Sequence, residues 1–183
     1  MHYFFSLQTS KELLQDKFFY NAYRFDVIEK QSNYQIEGMF EKLNLEIVDN
    51  PKLITDDVLS ITRKKSKKKH INVVFIDCLS LLYSEDSILP VYEQCSKIIR
   101  QLKRLARELK IVIVLTGSFS RIAAFEKPNL THLRGCGEIE CLCDVILFLH
   151  ETENNVRKII VAKNNRGNVG EEILSSDKQG DKR

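Results

Sequence analysis

Three apolar runs dominate the chain: residues 71–76 (INVVFI, apolar but for Asn72), 111–115 (IVIVL) and 145–149 (VILFL). Runs rich in β-branched residues, with no polar alternation, read as strands buried on both faces, as in a parallel sheet. Between the first two lies an amphipathic helix. Ile98, Ile99, Leu102, Leu105, Ala106 and Leu109 share one face, and Lys97, Arg100, Lys103, Arg104, Arg107 and Lys110 lie mostly on the other. Strands alternating with helices predict an α/β fold with a mostly parallel sheet flanked by helices. Further strands are expected at residues 3–7, 45–48 and 157–162. A helix after the first should be capped by Thr9 or Ser10 and carry Glu12 in its first turn. A short helix is expected to end between Phe40 and Leu45, after a polar stretch running to Gly38. Thr55 is expected to cap another helix, with Asp56 and Asp57 at its positive end.

The chain has 183 residues, enough for one domain with a buried core. Residues 1–174 are assigned to that domain and 175–183 to a flexible tail. With 28 Lys and Arg against 25 Asp and Glu, the formal charge of +3 is too mild to imply nucleic acid on its own. The run RKKSKKKH at 63–70 reads as the solvated end of a helix, with a nucleic-acid patch as the second reading. No run of apolar residues is long enough for a membrane span, and the first residues do not have the pattern of a signal peptide. The expected location is the cytoplasm, with no membrane partner. Five cysteines, an odd number, do not suggest a disulfide framework. Cys136, Cys141 and Cys143 lack the paired spacing of zinc ligands, so no zinc is expected. No local signature supports a Cys–His nucleophilic site.

In open parallel sheets ligands bind beyond the carboxyl ends of the strands. The positions to inspect are therefore 6–9, Asp77, 116–118 and 163–166. Asp77 follows VVFI directly, the Walker B pattern in which a carboxylate associates with Mg²⁺. The usual companion, G-x-x-x-x-G-K-[ST], occurs nowhere in the 183 residues, and Gly135-Cys136-Gly137 does not extend to G-x-G-x-x-G.

Six blocks then carry a resemblance. FFSLQTSKELL, LEIVDNPKLITDDVL, VVFIDCLSLLY, KIIRQLKRLARELKIVIVLTGSFSR, KPNLTHLRGCGEIECLCDVILFL and IIVAKNNRGNVG occur in this order. Each is similar to a segment of the replicative DnaB-type helicases, and together they cover nearly the whole chain. The resemblance implies a RecA-like ATPase domain that uses ATP and Mg²⁺ and assembles as a hexameric ring around single-stranded DNA. It also implies that the domain is incomplete at its N-terminus, starting where the family's P-loop helix ends. Residue by residue, the family's catalytic Glu falls on Gln8, its Mg²⁺-associated Asp on Asp77, and its γ-phosphate-sensing Gln on Gly117. The basic pair that acts across the subunit interface falls on Lys163 and on Asn165, with Arg166 adjacent as a substitute. The DNA-contacting loop falls on Arg134, Gly135 and Gly137, and Glu140 matches a family glutamate where Cys141 replaces a Gln. Two functions stay open: an ATP-driven DNA helicase or its C-terminal part, truncated and active only when the missing P-loop is supplied, or a degenerate non-hydrolysing RecA-like module that binds DNA or a helicase subunit.

Overall fold

The computed structural model describes residues 1–24, 43–84, 89–118, 127–133, 137–152 and 156–176. The expected features at Gly38 and Phe40 lie outside them. The chain divides into two compact units, Met1–Pro90 with Gln101–Ser118, and Val91–Arg100 with Phe119–Arg183.

The first unit is built on four parallel strands in the order β2-β1-β3-β4: β1 (His2–Ser6), β2 (Leu45–Asp49), β3 (Val73–Asp77) and β4 (Val112–Leu115). One face carries Tyr3, Phe5, Val74 and Ile76, all at most 2% exposed. Helices α2 (Thr55–Ser66) and α3 (Val91–Leu109) add Val58, Leu59, Leu102 and Leu105 to the core. On the opposite face the ring of Phe4 stacks on Phe75 and meets Phe18 of α1 (Lys11–Arg24) edge-on. Ser10 caps α1 as expected, its Oγ accepting from the Leu13 amide at 3.3 Å, and Asp49 accepts from the Lys11 amide at 2.8 Å. Thr55 is not a cap. It is the first residue of α2, and its hydroxyl donates to the Tyr83 carbonyl at 2.8 Å, while Asp57 accepts from the amide of Ile54, the cap position.

The second unit holds an antiparallel sheet, β5 (Val145–Glu151), β6 (Val156–Asn164) and β7 (Gly170–Ser176). Its core is Ile146, Phe148 and Ile160, packed by Leu130, Leu133, Ile139, Cys143 and Ala162. This corrects the expectation of a parallel strand at 145–149. Only four residues separate β5 from β6, and a parallel crossover needs a dozen or more. Strand β7 was not foreseen, and it takes in Ser175 and Ser176 of the expected tail. Among the described residues no helix is long and apolar enough to cross a membrane.

Burial on both faces holds for neither of the two later runs. Val112 and Val114 of β4 are 57% and 39% exposed, and Val145, Leu147 and Leu149 of β5 are exposed as well. Each sheet thus presents an apolar strip to solvent, a liability for self-association. The chain is expected to scatter light as a species larger than a monomer. Leu147→Lys with Leu149→Lys should shift it toward the monomer without changing the far-UV circular dichroism. A compact wild-type monomer at high concentration would contradict this.

Candidate functional site

The carboxyl ends of β1, β3 and β4 meet in the first unit. Ser6 lies opposite Asp77 in register, and the Leu7 amide donates to the Asp77 carbonyl at 2.8 Å. Beyond β4, the Thr116 amide donates to the Ile76 carbonyl at 3.1 Å, and the Leu79 amide donates to the Thr116 carbonyl at 2.9 Å. The backbone therefore holds Gln8, Asp77 and Gly117 around one sheet end. They come from positions up to 109 residues apart, joined only by parallel pairing.

Asp77 is half-buried, and the Thr116 hydroxyl donates to its Oδ1 at 2.5 Å. Sequence reasoning reached Thr116 as a strand-end position but gave it no role. The available signal was a hydroxyl immediately after the strand that neighbours the Walker B strand. The hydrogen bond orients the carboxylate and leaves Oδ2 available. Oxygen donors of this kind suit Mg²⁺, which keeps most of its waters and takes one or two carboxylates together with substrate phosphates. The peptide after Asp77 is cis. Cys78 is buried, its thiol 3.1 Å from Ser80 Oγ and 3.9 Å from the side-chain oxygen of exposed Gln8.

Two features limit the chemistry. Gln8 presents an amide, which orients a water but cannot take its proton at neutral pH. Gly117 presents nothing, although a Cβ there would meet only the Leu79 Cβ, at 4.0 Å. Space alone does not demand glycine at this position. In the first turn of α1 the Lys11 and Leu13 amides are already taken, by Asp49 and Ser10. Asp77 fits the metal, and the described residues offer a triphosphate no backbone cradle.

In the second unit, Lys163 donates to the carbonyls of Glu140 (2.6 Å) and Cys141 (3.4 Å), at the C-terminal end of α4 (Gly137–Leu142). There its charge complements the negative end of the helix. Asn165 is drawn back to Asp144 by its amide at 2.9 Å and its side chain at 3.4 Å. Arg166 is exposed in the turn between β6 and β7, held through its backbone amide by Asn164. Of the two, Arg166 has the guanidinium available to reach outward. Gly137 opens α4 with open space around it. Arg134 and Gly135 lie outside the described residues. Glu138 is held by Arg100 at 2.5 Å, and that hydrogen bond keeps its carboxyl below the usual range.

Comparison with known proteins identifies the family. The family model described as "DnaB-like helicase C terminal domain" matches residues 3–182. The Replicative DNA helicase DnaB of Treponema pallidum (strain Nichols) is 38% identical over 127 residues, 69% of this chain and 29% of its own length. The Probable plasmid replicative DNA helicase of Chlamydia psittaci is 34% identical over 133 residues, 67% of this chain and 29% of its own. The chain thus spans under a third of these relatives. A solved structure of an ATPase domain superposes with a TM-score of 0.77 at 26% identity, covering 94% of this chain and 70% of that one. A second solved structure, of a DnaB-like replicative helicase and its interactions with primase, gives 0.79 at 26% identity, covering 96% and 49%. With a parallel sheet flanked by helices and a match along nearly its whole length, this chain belongs to the DnaB-like helicase C-terminal domain family and has its RecA-like ATPase fold.

Proposed function

We propose that the chain serves a replicative DNA helicase assembly as a RecA-like module that does not hydrolyse ATP by its own residues. The observation that supports this most is the strand-end site itself: Asp77, oriented by Thr116, stands beside Gln8 and Gly117. The metal-side carboxylate is kept, while a base for the attacking water and a side chain for the γ-phosphate are not. ATP and Mg²⁺ remain the ligands that the family uses, and Asp77 is the residue that would hold the ion. Arg134, Gly135 and Gly137 would contact single-stranded DNA through its backbone, without sequence preference. Lys163 and Arg166 would face a neighbouring subunit, either in a hexameric ring of this chain or beside another helicase subunit. The second reading, an ATP-driven DNA helicase in its own right, is favoured by the intact pairing of Asp77 with Thr116.

Phosphate release in Mg-ATP with single-stranded DNA separates the two. The expected rate is that of buffer, and Asp77→Asn should leave it unchanged. A robust rate that is lost in Asp77→Asn would overturn the non-hydrolysing reading in favour of the second.

A further inference from the structure

The other end of the parallel sheet, where β3 and β4 begin, carries a concentration of positive charge. Helices α2 and α3 both finish there, joined by the ion pair between Arg63 and Glu108 at 2.8 Å. Two carboxylates at this end are already committed. Glu108 is bound by Arg63, which holds its carboxyl below the usual range. Glu46 pairs with Lys65 and accepts from the Tyr3 hydroxyl at 2.9 Å. Burial works to raise the Glu46 carboxyl, but hydrogen bonds from Lys65 and Tyr3, with attraction from Lys65 and Lys69, carry it below its ordinary value. Burial and the same carboxylate push the Tyr3 hydroxyl up to about 12.

What remains is Lys64, Lys67, Lys68, Lys69, Arg107 and Lys110. All six are exposed, and none makes a side-chain hydrogen bond or ion pair with the described residues. The turn that presents three of them is fixed, with the Lys68 and Lys69 amides donating to the Lys65 carbonyl at 3.0 and 3.1 Å. One or two cations satisfy a helix C-terminus, so six exceed what two helix ends require. The whole chain carries a formal charge of only +3, so the rest of it is net negative. The positive charge is concentrated, not spread. Along β3, at about 3.3 Å per residue, the patch lies roughly 15 Å from Asp77 and takes no part in the strand-end site.

We propose that this end of the sheet is a second nucleic-acid surface, on which Lys64, Lys67, Lys68, Lys69, Arg107 and Lys110 grip the phosphate backbone of a single strand. It needs no nucleotide and no ring. A cluster of exposed cations whose neighbouring carboxylates, Glu46 and Glu108, are already paired with Lys65 and Arg63 suits a polyanion of regular charge spacing, which a DNA helicase domain meets throughout its work. Lysine contacts of this kind carry no sequence preference and weaken steeply with salt.

The test is fluorescence anisotropy of a labelled oligothymidylate against the full chain over a salt series. Neutralising Lys67, Lys68 and Lys69 to Gln should lower the log–log salt slope by about 2 units, near 0.7 for each contact on a single strand. Replacing the same three with Arg should preserve the slope. A charge-matched control, Lys11, Lys17 and Lys52 to Gln, should leave it unchanged. Equal losses in the patch and control variants would mean net charge alone and overturn the proposal, as would a patch variant that binds like wild type. Loss of polyglutamate binding with oligothymidylate binding intact would assign the surface to an acidic protein and overturn it too. Arg134→Ala, measured alongside, isolates the loop contact. If its loss adds to that of the patch, both surfaces stand. If only the patch variant weakens binding, the loop assignment fails and the patch stands.

Discussion

Phe5→Ala is expected to destabilise the domain by about 3–5 kcal/mol. Phe5 is fully buried in β1, an interior strand, lying in register between Val48 of β2 and Ile76 of β3. Truncation removes the ring's transfer free energy and leaves a cavity that β1, hydrogen-bonded to strands on both sides, cannot readily close. A domain of this size has about 5–15 kcal/mol of stability in total, so a large share of it goes. Urea denaturation should show an early, broadened transition, or none. Phe5→Leu, which keeps most of the volume, should cost far less. A Phe5→Ala loss under about 1 kcal/mol would mean that β1 is not at the centre of the sheet.

The second large effect concerns Arg166. Arginine groups supplied to a neighbouring phosphoryl-transfer site are worth on the order of 10³–10⁵ in rate. If the chain donates such a group, a mixed assembly is the place to see it. Combined with P-loop-bearing helicase subunits that lack their own basic pair, the chain should restore phosphate release, and Arg166→Ala should abolish the restoration. Asn165→Ala should not, because that side chain is turned back onto Asp144. Lys163→Ala should act partly through stability, since its ammonium closes the end of α4. Equal restoration by wild type and Arg166→Ala would remove Arg166 from the interface role.

Legibility in the sequence followed locality. The amphipathic pattern of α3, the Ser10 cap and the apolar run ending at Asp77 are each written within a few residues, and the structure shows them. Strand direction is not local. VILFL reads alike for a parallel and an antiparallel strand, and only the short connection to β6 distinguishes them. Thr55 looked like a cap because residue type favours that role, but the Tyr83 carbonyl, 28 residues away, takes its hydroxyl instead. At the site, Asp77 was legible because a strand-end carboxylate announces itself. That Gln8 stands beside it depends on β1 pairing with β3 across some seventy positions. The orienting bond from Thr116 depends in turn on β4 pairing with β3. The interface roles proposed for Lys163 and Arg166 rest on the resemblance alone, because neither a strand end nor an exposed turn carries a local mark of what it faces.

As proposed, these residues keep a metal-side carboxylate without by themselves holding and turning over a nucleotide. The deciding measurement is calorimetric titration of the chain with ATP, with and without Mg²⁺. The expected result is no saturable binding under either condition, with wild type and Asp77→Asn superimposable. A one-site isotherm that requires Mg²⁺ and disappears in Asp77→Asn would contradict the claim and show that the chain builds a phosphate cradle without a P-loop.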